Sequence, residues 1–298
     1  MQLIPLLASV ALACSALNSA QEVRPDGRGD RPKEAVRGVP EPHRPPLFPP
    51  PTRARLVPIS YHGGPVLRNP TLYYIWYGTW TASDMNILET LATHISGSPY
   101  ANIWTTYYDF TGQHIPNTVT FGGSTTDNYS HGKLLSDPLI TRIVQAAIDN
   151  KSLPADPNGI YFVLTATDVN EVGFCNSFCG WHTNVEFEGS HYNIAFIGNA
   201  AHCPDSCETQ LVSPNDSPGA DASASVVAHE LEESISDPYG TGWYDSQGEE
   251  IADKCAYSYG ATTTLPNGSL TNVQFGGLNY LIQQNWLNVG LGRCTMSH

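Results

Sequence analysis

A histidine followed at once by a glutamate, with a second glutamate four positions on, is the stretch of this chain best suited to chemistry: His229-Glu230-Leu231-Glu232-Glu233. It follows the small, apolar approach Asp221-Ala222-Ser223-Ala224-Ser225-Val226-Val227-Ala228, which reads as helix with Asp221 as its cap. Residues four apart on a helix project from one face. His229 and Glu233 therefore form a metal-type pair, and Glu230 falls where a general base would sit beside a zinc ion. The second histidine usual in such a helix is replaced by Glu233, giving H-E-x-x-E. A carboxylate oxygen is an acceptable zinc ligand, so the replacement keeps the metal reading open.

A catalytic zinc takes three protein ligands and keeps one position for water. Asp253, Glu250 and Asp237 are the candidates for the third. Asp237 is one turn beyond Glu233, and positions 229, 233 and 237 drift only about 40° per step on an ideal helix. Pro238 disfavours helical geometry at Asp237, however, so the helix is expected to end there and Asp237 to cap the next turn. Glu250 and Asp253 lie just before Cys255, where a disulfide would pin their segment. Calcium is the second choice of cation, because it takes six to eight oxygens and leaves His229 without a role. His182, in Cys179-Gly180-Trp181-His182, and His62, in Tyr61-His62-Gly63-Gly64-Pro65, read first as turn residues, although His182 could reach the same site. The competing reading of the whole motif is a buried helix with one packed histidine and acidic neighbours. No G-x-S-x-G elbow or phosphate loop is present; Gly122-Gly123-Ser124 and Gly276-Gly277-Leu278 read as turns.

The elements that would carry these residues follow from the apolar pattern. Leu72–Tyr77, Ile160–Thr165 and Tyr192–Gly198 read as buried strands. Ser83–Ile95 has helical spacing behind a Thr81 or Ser83 cap, and Leu134–Ile148 reads as a second helix. Short strands are expected near Val273–Phe275 and Tyr280–Gln283. This order suits an α+β class, a single domain with a zincin-like mixed sheet and a metal-type helix. Most of the six Trp and 15 Tyr should be core, although some could line a carbohydrate groove.

Residues 1–20 read as a signal peptide: an apolar run from Leu3 to Leu17, then Asn18-Ser19-Ala20. Residues 21–56 carry eight of the 14 Lys and Arg and nine prolines, and read as a disordered leader or pro-segment. Residues 57–298 form the globular domain. They hold six Lys and Arg against 23 Asp and Glu, a net of −17, which argues against nucleic acid and anionic membrane surfaces and permits cation binding. Nine carboxylates and no Lys or Arg fall between Asp221 and Asp253. No later stretch is apolar for long enough to span a membrane.

Beyond Cys14, six cysteines remain: Cys175, Cys179, Cys203, Cys207, Cys255 and Cys294. An even number in an exported chain implies disulfides. Proximity suggests Cys175–Cys179 and Cys203–Cys207, which leaves Cys255–Cys294; the rival takes the two C-x-x-x-C pairs as a thiolate zinc site. Sequons at Asn128, Asn150, Asn215 and Asn267 fit a secreted glycoprotein.

Several motifs recur together in order: Tyr61-His62-Gly63-Gly64-Pro65, Tyr74-Ile75-Trp76-Tyr77-Gly78-Thr79-Trp80, Tyr129-Ser130-His131-Gly132-Lys133, Cys179-Gly180-Trp181-His182, His229-Glu230-Leu231, Gly242-Trp243-Tyr244-Asp245 and Glu250-Ile251-Ala252-Asp253-Lys254-Cys255. Together they resemble the Exordium-like, or phosphate-induced, family over nearly all of the chain after residue 57. The resemblance implies a secreted or cell-wall protein, linked in plants to growth and to phosphate and carbon supply. It implies an extracellular protein or cell-wall component as partner and does not dictate a reaction. Two readings stand: a secreted zinc-dependent hydrolase, peptidase-like, or a non-catalytic extracellular or cell-wall binding or signalling protein with a structural metal or none.

Overall fold

The computed structural model describes residues 57–298. The segments read from the sequence as signal peptide and leader, Cys14 included, lie outside the described residues. A five-stranded sheet organises the chain: β1 (Thr71–Tyr77), β2 (Thr120–Asp127), β3 (Gly159–Thr165), β4 (Gly180–Phe187) and β5 (Ser190–Ile197), in the spatial order β2-β1-β3-β5-β4. The first four in that order are mutually parallel, and β4 runs antiparallel along the edge. β1 and β3 are buried almost throughout, which is why they read as unbroken apolar runs rather than alternating ones.

Three long helices pack on this sheet: α1 (Ala82–His94), α2 (Asp137–Asp149) and α3 (Pro218–Ser236). Thr81 caps α1 through its side chain, which accepts from the Asp84 N–H. α3 begins earlier than the Asp221 cap would place it. Ser217 is its N-cap and Pro218 opens it, while Asp221 accepts from the backbone and side-chain amides of Asn215. The helix is buried on all sides, lying against α1, β4 and β5. Its small residues, Ala220, Ala222, Ala224 and Ala228 with Ser223 and Ser225, let those neighbours approach closely. It ends at Asp237, whose carboxylate accepts from the N–H groups of Thr241 and Gly242 and so caps the following turn.

Two strands depart from the sequence reading. Gly122-Gly123 lies inside β2, at a register shift opposite Leu72 and Tyr73. A Cβ at Gly122 would meet the Tyr73 ring at 2.3 Å, so this glycine makes room for an aromatic side chain instead of turning the chain, while Gly123 takes a φ of 115° within the strand. Cys179-Gly180-Trp181-His182 leads into β4, not into an isolated turn. A two-residue hairpin, Glu188 (φ 51°) and Gly189 (φ 73°), joins β4 to β5. Gly276-Gly277 is a turn, joining the strands Val273–Phe275 and Leu278–Tyr280.

The disulfides are Cys175–Cys203, Cys179–Cys207 and Cys255–Cys294. Cys255–Cys294 is as expected; the two pairings that proximity suggested are wrong, because each Cys-x-x-x-Cys pair is joined to the other pair instead. Cys203 and Cys207 sit one helical turn apart, with the Cys207 N–H bonded to the Cys203 carbonyl. Both therefore face the tight turn carrying Cys175 and Cys179, and the two segments are riveted by two parallel bridges. With all six cysteines so joined, no thiolate site for zinc remains. Of the sequon asparagines, Asn128 and Asn150 are exposed. Asn215 commits its side-chain amide to Asp221 and the Asn279 carbonyl, and Asn267 commits its own to the Ser213 carbonyl.

Candidate functional site

α3 delivers the H-E-x-x-E residues, and the sheet and the Glu250–Cys255 segment close over them. His229 Nε2 lies 3.2 Å from Glu233 Oε1 and 3.4 Å from Asp253 Oδ1. One ligand atom each from His229, Glu233 and Asp253 lies within 4.8 Å of the others, and so does one each from His182, Glu230 and Glu233. Glu233 belongs to both groups. Of the third-ligand candidates, Asp253 therefore joins His229 and Glu233. Glu250 sits on the other side, its Oε2 3.3 Å from His182 Nε2. Asp237 joins neither group.

His182 arrives by strand register. It pairs with Ala195 of β5, and Ala195 with Phe162 of β3, so its side chain stands on the face where Tyr74 meets α1. Its neighbour Trp181 points the other way and stacks on Phe196. Gly180, two residues before His182 on the same face, fits α3 closely. A Cβ there would approach Val226 Cγ1 at 2.5 Å and Glu230 Oε1 at 3.0 Å. The flanking cysteine makes this strand read as a turn in the sequence, which hides the orientation of His182. His62 is elsewhere, exposed and stacked on Tyr244 at 3.6 Å.

Three devices hold the Glu250–Cys255 segment in place. The Asp253 N–H donates to Glu233 Oε1 at 3.0 Å. The Cys255–Cys294 disulfide anchors its end. Lys254, fully buried, pairs with the equally buried Asp245 at 2.7 Å and lies over the Trp286 ring. A further contact was not readable in sequence: Gln283 Nε2 sits 3.2 Å from His229 Nδ1 and donates to the Ala252 carbonyl. Histidine ligating through Nε2 carries its proton on Nδ1. The partner suited to that tautomer is Gln283 Oε1, which is buried without a hydrogen bond and would come round by an amide flip, at the loss of the Ala252 contact.

The electrostatics are those of a site short of positive charge. Glu230 has both carboxyl oxygens buried without a hydrogen-bond partner, as do Glu233 Oε2, Glu250 Oε1, Asp253 Oδ1 and His229 Nε2. Burial, and then repulsion from Asp253, pushes the Glu233 carboxyl up to about 7. Burial likewise drives Glu230 and Glu250 well above the ordinary carboxyl range, with Glu233 among the repelling neighbours of each. His182 is held down at about 4 by burial and by His229, leaving a neutral ring. Burial opposes charge on His229 as well, but the Glu233 and Asp253 carboxylates outweigh it and raise its pKa well above the histidine norm. Unpaired buried carboxylates are costly, and a bound cation is a direct way to satisfy them. The donors, two imidazoles and several carboxylates, are those that zinc accepts.

The conserved region of phosphate-induced protein 1 matches residues 59–280. The chain belongs to the Exordium-like, phosphate-induced family. It is 35% identical to Protein EXORDIUM-like 3 of Arabidopsis thaliana over 81% of this chain and 84% of that one. It is 30% identical to Protein EXORDIUM-like 5 of the same plant, over 81% and 78% respectively. Protein PHOSPHATE-INDUCED 1 of Nicotiana tabacum is 29% identical over 68% of this chain and 74% of its own length. No solved structure matches. Family and disulfides are consistent with an extracellular protein. Among the described residues, no helix is long and apolar enough to cross a membrane.

Proposed function

We propose that this Exordium-like protein is a secreted, zinc-dependent hydrolase, peptidase-like, with a signal peptide over residues 1–20, a leader over 21–56 and a zincin-like domain over 57–298. The observation that carries the reading is the buried convergence of His229 Nε2, Glu233 Oε1 and Asp253 Oδ1 beside carboxyl oxygens of Glu230 and Glu233 (Oε2) that have no hydrogen-bond partner. Three donors of this kind leave room for a fourth position. The Asp253 side chain, 12% exposed, is the one through which solvent would reach it. Zinc held there would polarise a substrate carbonyl and make water a nucleophile near neutral pH.

Glu230 carries the proton traffic in this reading. Its carboxylate is adjacent on α3, free of hydrogen bonds, and its raised pKa suits a group that takes a proton from attacking water and returns it to a leaving group. The mixed sheet with an antiparallel edge strand beside the metal-type helix supports the zincin-like comparison on architecture alone. The acidic surroundings favour neutral or cationic substrates.

A second reading has its own observation. His182, His229, Glu230, Glu233 and Glu250 are all at most 4% exposed, as ligands of a structural ion would be. The protein is then a non-catalytic extracellular or cell-wall binding protein with a structural metal, calcium being the second choice. Glu230→Gln separates the two. Hydrolysis of a peptide library abolished with zinc retained supports the enzyme; wild-type protein inert toward the library, with zinc bound, supports the structural role.

A further inference from the structure

We propose a second cation position beside the first, formed by His182, Glu230 and the far oxygen of Glu233, so that Glu233 bridges two ions and the second ion competes for the catalytic base. The proposal rests on the metal-hydrolase reading above and extends it. Glu233 divides its oxygens between two groups of donors. Oε1 faces His229 at 3.2 Å and accepts the Asp253 N–H. Oε2 faces His182 Nε2 at 3.6 Å and makes no hydrogen bond. One ligand atom each from His182, Glu230 and Glu233 lies within 4.8 Å of the others, and Glu250 Oε2, 3.3 Å from the same imidazole nitrogen, offers a fourth donor.

Beyond this grouping of donors, an independent observation points to a ligand. Glu230 is wholly buried, with neither oxygen partnered, and Glu250 Oε1 is in the same state. Satisfying the first position alone leaves these oxygens orphaned, since its donors are His229, Glu233 Oε1 and Asp253. A carboxylate using both oxygens spans ions about 3.5–4 Å apart, as in two-metal hydrolases. Here, however, the second ion takes as its ligand the carboxylate that otherwise accepts the proton. One ion per chain leaves Glu230 free; two remove it from the proton pathway. Zinc supplied beyond one equivalent is therefore an inhibitor built from the site's own residues.

The test is zinc stoichiometry by equilibrium dialysis on the secreted, disulfide-intact protein, against increasing free zinc. Wild type is expected to bind one zinc tightly and a second more weakly. His182→Ala is expected to keep the first and lose the second, Asp253→Asn to weaken the tight one at least tenfold, and Glu233→Ala to lose both. X-ray absorption on the wild type at two equivalents, which needs no variant, is expected to show a zinc–zinc vector of about 3.5–4 Å. A single zinc at saturation, or a second zinc retained in folded His182→Ala, overturns this inference and leaves the one-metal reading standing. Absence of any bound zinc overturns both.

Discussion

Breaking the Lys254–Asp245 pair should unlock the segment that carries Asp253. The two side chains are fully buried and 2.7 Å apart. Lys254 lies directly after Asp253, so its anchor is also an anchor of the proposed ligand. Lys254→Met removes the ammonium and leaves the Asp245 carboxylate buried without its cation. Removing one partner of a buried ion pair costs about 3–5 kcal/mol, most of it from the charge left behind. For a domain of this size each kcal/mol moves the melting temperature by about 2–4 °C, so the variant should melt roughly 6–20 °C below wild type. Asp245→Asn on the same background removes the stranded charge while its Oδ1 still accepts from the Gln247 and Glu249 N–H groups. The double variant should recover more than half of the loss. Thermal melts of the four proteins, wild type, both singles and the double, close the cycle. A loss below about 1 kcal/mol in Lys254→Met, or a double variant no more stable than that single, would refute the claim that the pair pins the segment.

Gly180→Ala should destabilise by about 1–3 kcal/mol in denaturant unfolding, because its Cβ meets Val226 at 2.5 Å and the Phe196 carbonyl at 2.9 Å; a neutral result contradicts the close packing of β4 on α3. Gln283→Ala should weaken zinc binding about 10–100-fold while leaving its stoichiometry intact, since the amide orients His229 without ligating; competition against a chromophoric chelator reads this directly. Asp237 contributes a pH dependence of known sign. Burial raises its carboxyl from 3.8 to about 6, so the folded chain holds the proton more tightly and stability falls as pH rises between those values, by up to about 3 kcal/mol. Asp237→Asn keeps the Oδ1 acceptor for Thr241 and Gly242 and should flatten that window of the stability profile; an unchanged slope removes Asp237 as its source.

What could be read in advance depended on how local the signal was. The apolar runs of β1, β3 and β5 and the spacing of α1 and α3 are properties of contiguous residues, and these elements appear where the pattern places them, apart from the earlier start of α3. β2 was hidden because Thr, Gly and Ser on a half-exposed strand look like a turn. β4 was hidden because its first residues sit between a cysteine and a histidine, and with it went the orientation of His182, which only its pairing with Ala195 reveals. The disulfides show the same limit: nearness in sequence suggested bridges within each Cys-x-x-x-Cys pair, whereas the fold stacks the two pairs and joins them across 28 residues. His229, Glu230 and Glu233 were legible as a unit because a helix fixes their spacing. The choice of Asp253 over Glu250 and Asp237, and the contact from Gln283, required the tertiary path of the segments that close over α3.

The central claim is that the buried cluster around Glu233 exists to hold a metal ion. Elemental analysis of the secreted, untagged protein, purified without chelator beside its Glu233→Ala variant, tests it most directly. The account predicts about one zinc per chain in the wild type and none in the variant. A wild-type protein that is folded and metal-free contradicts it, and stoichiometric calcium in place of zinc transfers the cluster to a structural role.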